Sequence, residues 1–343
     1  MASSQELLNR VQHSNTSQPI SFATVKPYPN FDAQEDANSL DKAIQAKGVD
    51  EHIIISMLAN RTNMQRQQIA DAYKKDFGKD LSQSLKNVLS GKLKDVTLSL
   101  LQPPTLFDTH ALKNTMKGLG TDEESLVEIL ATRTNQEKKD ITDTYQTEFK
   151  STVADDIASD CSGELKKLSL ALAKTSRSEK QTLDYKQIDE DAKIIYNDGV
   201  KRKDADVDKF IAILAGRSNR HLERVFEKYT TLYSKGLVHS LKQDTKGEVC
   251  QAYVGLVKAI QNTPGFFAER LHQAIEGKKD DNLLRILVSR SEKDLLAIRT
   301  QYKKKYKVSL YSSIAVGLCH GNAKHSIHHV MILCKYALCN LIA

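Results

Sequence analysis

Apolar residues recur every four positions along this chain, in runs that restart four times. Each run follows the same short stretch, an apolar pair leading into an arginine and a small hydroxyl residue. The copies are Met57-Leu58-Ala59-Asn60-Arg61-Thr62, Ile129-Leu130-Ala131-Thr132-Arg133-Thr134, Ile213-Leu214-Ala215-Gly216-Arg217-Ser218 and Ile286-Leu287-Val288-Ser289-Arg290-Ser291. The arginines stand 72, 84 and 73 residues apart, so the chain is a fourfold repeat. Eight residues after each comes a β-branched aliphatic (Ile69, Ile141, Val225, Ile298), and twelve after it a tyrosine (Tyr73, Tyr145, Tyr229, Tyr302). Phe77, Phe149, Tyr233 and Tyr306 follow at sixteen, then Leu81 and Leu85, Val153 and Ile157, Leu237 and Leu241, Leu310 and Ile314. A period of four makes one stripe of a helix, whereas strand faces alternate with period two. The pattern predicts an all-α fold of short amphipathic helices. The Thr/Ser-Asn after the arginine suits the N-cap of the next helix, where a side-chain oxygen accepts an orphan N–H.

The repeats predict four units at 36–104, 108–175, 189–262 and 267–343. Pro103-Pro104 closes the first, Pro264-Gly265 separates the last two, and a polar stretch at 175–189 links the halves. No unit has enough apolar surface alone, so neighbours must pack together. Residues 1–35 form a tail outside the repeat. Within it, 4–13 could form a short helix with Leu7, Leu8 and Val11 on one side, and 18–30, with Pro19, Pro27 and Pro29, reads as extended. The plain reading is a tail lying over the core; the sharper one is a helix that fits a partner's groove.

Composition changes this picture little. Of 343 residues 40% are hydrophobic and none is Trp, which leaves material for a helical core. The net charge of +7, from 50 basic and 43 acidic residues, suits an anionic surface without demanding one. Five cysteines in a chain this long make no secreted disulfide framework, and no signal peptide opens it. The apolar run at 330–343 is short and broken by Lys335, so it is no bilayer span. A reducing cytosolic compartment is the simplest expectation.

The candidate chemistry lies in Met116-Lys117-Gly118-Leu119-Gly120-Thr121-Asp122-Glu123-Glu124. Its glycines let the backbone turn with carbonyl oxygens outward, and Thr121 with Glu124 reads as a capping box for the next helix. Alone this is an interhelical turn. Twenty-seven residues after the arginines, however, stand Val88, Asp160, Asp244 and Gly317, with Gly91, Gly163 and Gly247 three further on. Asp160 thus offers a carboxylate 40 residues from Gly120. A hard cation such as Ca²⁺ takes six to eight oxygens, and one bidentate carboxylate with carbonyls half-fills that shell. The expected affinity is weak, in the roughly 10⁻⁴–10⁻³ M range.

The arginine stretch, the tyrosines, the Met-Lys-Gly-Leu-Gly-Thr loop and its distant acid resemble the annexin family over residues 36 to about 314. Pro27-Tyr28-Pro29 and Lys47-Gly48-Val49-Asp50-Glu51 look closest to the lipocortin-type vertebrate annexins. The resemblance implies four repeats of five helices in a slightly curved disc, with Ca²⁺ bridging loops on the convex face to anionic phospholipid. Lipid would complete the ion's shell, so calcium and membrane bind with positive coupling. Carried over by position, the second-repeat site comprises carbonyls of Met116, Gly118 and Gly120 with Thr121 and Asp160. The first repeat retains only the family's alternative arrangement, carbonyls of Gly48 and Val49 with Glu51; a minor site at Lys86 and Leu89 meets Lys94 where an acid is needed, with Asp95 beside it. The third repeat keeps Gly199, Arg202 and Asp244, but Asp204 replaces the loop glycine and weakens the site. The fourth has a loop two residues short (Ile275-Glu276-Gly277-Lys278-Lys279) and departs from the family after Ile314, as a splice variant or gene-model error would, so it receives no calcium.

The arginines read as structural cations at helix C-termini and the tyrosines as core. Lys303-Lys304-Lys305 and Lys138-Lys139 read as solvated helix faces. His320, His325, His328 and His329 with Cys334 and Cys339 match no standard zinc spacing. No nucleophile–base pair, phosphate-cradling loop or carboxylate pair recurs with the repeat, so no enzyme is expected. The family resemblance further implies membrane organisation, vesicle aggregation and phospholipase A2 inhibition by covering its substrate. It also implies a small EF-hand dimer bound through residues 4–13, and a cytoplasmic protein recruited to membranes, with nuclear or non-classically exported pools. No nucleic acid is expected. The rival reading is a basic helical-repeat scaffold that binds protein or nucleic acid without calcium.

Overall fold

The computed structural model describes residues 21–117, 120–201 and 206–319. Among these every regular element is helical. The first repeat holds α1 (Ala33–Gln45), α2 (Glu51–Ala59), α3 (Asn63–Phe77), α4 (Leu81–Val88) and α5 (Gly91–Leu101). The second holds α6 (Pro104–Thr115), α7 (Glu123–Thr132), α8 (Asn135–Phe149), α9 (Val153–Asp160) and α10 (Gly163–Ala173). In the third, α11 (Tyr185–Ile194) runs into a π-helical turn at Ile195–Lys201, followed by α12 (Val207–Gly216), α13 (Asn219–Tyr233), α14 (Leu237–Asp244) and α15 (Gly247–Gln261). The fourth has α16 (Thr263–Glu276), α17 (Asp280–Arg290), α18 (Leu295–Tyr306) and α19 (Leu310–Cys319) among the described residues.

The predicted caps hold in three repeats. Thr62, Thr134 and Ser218 accept the N–H groups of Gln65, Glu137 and His221, and the first two complete capping boxes. The fourth differs: Ser291 turns its hydroxyl back to the Val288 carbonyl, and Asp294 occupies the cap position of α18. A segment from the tail takes over. The Leu296 N–H donates to the Phe22 carbonyl at 3.0 Å, while the Thr24 and Val25 N–H groups donate to the Ser291 carbonyl at 2.8 and 3.0 Å. Residues further along this extended segment reach the first repeat. Tyr28 exchanges backbone bonds with the Gln65 amide, and its ring lies 3.5 Å from the Arg61 guanidinium carbon. The tail is therefore a strap joining first and fourth repeats.

Four buried tyrosines, Tyr73, Tyr145, Tyr229 and Tyr302, anchor the helix stripes, each 4.8–4.9 Å from the aromatic one turn on. The arginines are structural, though not through helix carbonyls as expected. Arg61 binds Asp36, Arg133 binds Asp108 and Arg217 binds Asp191, each through two nitrogens. Arg290 has Gly265 twenty-five residues back and binds Asp294 instead. Helix-end carbonyls go to other cations: Arg66 takes Leu58 and Leu100, and Lys138 takes Leu172 and Lys174. The second and third repeats share one apolar core, while Leu284 and Val288 of α17 pack on the core of the first. Second and fourth repeats meet through polar groups, where the fully buried Glu128 is held by Arg285 and Arg270. Burial alone would push its carboxyl up, but these two guanidiniums hold it below the usual range.

Candidate metal centre

The second-repeat loop leaves the end of α6 at Met116, whose N–H bonds back into the helix. It reverses at Gly120, with φ +97°, a region closed to most side chains. The Asp122 N–H then donates to the Thr115 carbonyl at 2.8 Å, closing the loop's base. Asp122, not Thr121, caps α7 by accepting the Ser125 N–H, and Glu124 binds Arg270 instead of completing a capping box. Thr121 is thereby left for the acid: its hydroxyl donates to Asp160 Oδ2 at 2.6 Å. Asp160 is the exposed last residue of α9, so two turns 39 residues apart meet at one hydrogen bond.

The surroundings are acidic. The Glu123 carboxyl is raised above its usual range by partial burial and then by the charges of Glu248, Asp122 and Asp160. A bound cation would relieve that repulsion. Among the described residues no group of three or more His, Cys, Asp or Glu side chains could hold a metal. An ion here must therefore draw on backbone carbonyls and water beside Asp160, a donor set of hard oxygens that suits calcium and not zinc.

The remaining candidates are placed unequally. Gly48 and Val49 form a left-handed turn (φ +92° and +46°), with Glu51 opening α2 behind it and Asp50 capping that helix. Lys86 lies in the last turn of α4, and Leu89 is buried just beyond it. Gly199 is buried in the π-helical turn against Phe210, where an added Cβ would lie 2.5 Å from the ring; packing requires glycine there. Asp244 is exposed at the end of α14. Gly118, Arg202 and Asp204 lie outside the described residues, as do residues 4–13 and His320, His325, His328, His329, Cys334 and Cys339.

Several cross-repeat contacts gather these turns on one face. Lys167 of α10 binds Asp208 of α12 at 2.8 Å, and Lys92 of α5 lies 3.6 Å from both Asp280 and Asp281 of α17. Asn282 donates to Asp122 at 3.3 Å. The repeat pattern does not reveal these links, because each joins residues unique to one repeat.

A helical-repeat protein with oxygen-rich loops on one face is the class so defined. The Annexin family model matches residues 35–100, 107–172, 190–256 and 266–329. Annexin A1 of Cavia cutleri is 44% identical over 312 residues, covering 87% of this chain and 90% of that protein. Among solved structures, annexin III superposes with a TM-score of 0.85 at 40% identity, covering 92% of this chain and 96% of that one. A calcium-bound annexin (Sm)1 superposes at 0.80 with 26% identity, covering 92% and 93%. The chain belongs to the annexin family, whose members are generally non-enzymatic and known for calcium-dependent phospholipid binding.

Proposed function

We propose that this protein binds anionic phospholipid membranes in a calcium-dependent manner, principally through the second repeat. The observation that carries the reading is the Thr121–Asp160 bond, which sets a carboxylate beside the loop of Met116 and Gly120. Carbonyls of Met116, Gly118 and Gly120 with Asp160 would hold the ion, and lipid phosphate would fill the open positions. The first-repeat turn at Gly48, Val49 and Glu51 is a second site; Lys86 with Leu89, and Gly199, Arg202, Asp204 and Asp244, are weaker ones. No described helix is long and apolar enough to cross a membrane.

Membrane organisation, vesicle aggregation and phospholipase inhibition by covering substrate follow as proposed roles, with a small EF-hand dimer as partner of residues 4–13. Cosedimentation with phosphatidylserine liposomes tests the reading. Wild type should pellet with calcium and stay soluble with chelator, and Asp160→Ala should need at least about tenfold more calcium. Binding that ignored chelator would favour a calcium-independent scaffold.

A further inference from the structure

We propose that the fourth repeat docks on anionic phospholipid directly, through the ammonium groups of Lys278 and Lys279, with no ion between protein and lipid. This rests on the reading above only for which face meets the membrane. The loop between α16 and α17 is closed on itself. The Gly277 N–H donates to the Gln273 carbonyl at 2.9 Å, Lys278 to Ile275 at 3.3 Å and Lys279 to Ala274 at 2.8 Å. Its single left-handed residue is Lys278, φ +52°. No carboxylate comes from the following turn, since Gly317 stands twenty-seven residues past Arg290. A calcium shell cannot be assembled from such parts.

The loop nevertheless belongs to the same face as the second-repeat loop. Asn282, three residues beyond Lys279, bonds Asp122, which adjoins the Thr121 that binds Asp160. Two nearby acids are already engaged. Asp280 and Asp281 share Lys92 of the first repeat, and the exposed Glu276 makes no ion pair with either lysine among the described residues. Lys278 and Lys279 are exposed, and neither has an ion pair among the described residues. The second-repeat loop presents the Asp160 carboxylate beside Thr121, whereas this loop presents two exposed ammonium groups. A membrane bearing phosphatidylserine supplies the matching anion, and each lysine near such a surface strengthens binding about fivefold.

The experiment is cosedimentation of the full chain with phosphatidylserine–phosphatidylcholine vesicles at saturating calcium, in about 0.01 M and about 1 M salt. Lys278→Asn with Lys279→Gln removes both charges, and asparagine tolerates the left-handed position. At low salt this variant should bind about tenfold or more weakly than wild type, and at high salt equally. Lys278→Arg with Lys279→Arg should match wild type throughout. Lys279→Gln alone, away from the left-handed residue, should show part of the loss and guards against a folding artefact. Equal binding of neutral and wild-type proteins at low salt overturns the proposal, and so does a loss that persists undiminished at high salt. Asp160→Ala run in parallel separates the readings: if it leaves the calcium response intact while the lysine variant loses salt-sensitive binding, the calcium bridge fails and lysine docking stands.

Discussion

The second and fourth repeats share a scaffold and differ in everything placed on it. Both bury an arginine and, on the helix stripe that follows it, a tyrosine. In the second, Arg133 finds Asp108 on α6, Thr134 caps α8, and the loop at Gly120 meets Asp160. In the fourth, Arg290 turns to Asp294 four residues on, the strap at Phe22 covers the start of α18, and the loop carries lysines. A packing frame thus tolerates replacement of its polar fittings, provided each buried charge finds another partner.

The largest effect separating the two lies in those arginine pairs. Arg133→Met strands a buried Asp108 and should cost about 3–5 kcal/mol, whereas Arg290→Met leaves the more exposed Asp294 and should cost about 1–3 kcal/mol. Urea unfolding measures both, and equal losses would break the comparison.

Next comes a pH dependence at Lys138 of the second repeat, five residues after its arginine, where the fourth has Leu295. Burial, with Arg177 nearby, lowers Lys138 to about 8 from its ordinary 10.5. The native lysine releases its proton first, so between those values the unfolded chain binds more protons and stability rises with pH. That rise should be on the order of 1–3 kcal/mol. Lys138→Leu should flatten the wild-type rise when unfolding is followed from neutral pH through the lysine range.

Calcium alone, without lipid, supplies a smaller difference. At ten times its dissociation constant it should stabilise the protein by about 1.4 kcal/mol. Calorimetry should show that shift in wild type and in the neutral lysine variant, and lose it in Asp160→Ala. A shift surviving that substitution would move the principal site elsewhere.

The loop backbones differ in sign. Gly120→Ala, with open space around the new Cβ but φ +97°, should cost about 1–2 kcal/mol. Lys278→Gly, relieving a left-handed lysine, should gain up to about 1 kcal/mol. Thermal melting orders them, and a gain at Gly120 would contradict the strained loop.

Much of this was legible before any coordinates. Period-four stripes placed the helices, and three of four caps followed from a hydroxyl after the arginine. The aspartate partners were also legible in principle, since Asp36, Asp108 and Asp191 precede their arginines by 25 or 26 residues. They lie before the arginine, off the period-four stripe that runs forward from it. Asp294 could not be found that way, because the exchange occurs in one copy only. Thr121 was misassigned for a related reason: Thr121 and Asp122 can each cap a helix, and only the position of Asp160 decides which is free.

The sequence by itself determined the fourfold helical repeat and the annexin family, because helix stripes and caps are local and recur with the chain. It also singled out the second-repeat loop and Asp160, by spacing and resemblance. Tertiary structure alone decided that Thr121 joins that loop to its acid, that the tail straps first repeat to fourth, and that Lys92 and Asn282 bring the fourth-repeat lysines onto the same face. Such contacts join residues far apart in the chain that no period relates, and their strength depends on which competing partners the fold brings within reach.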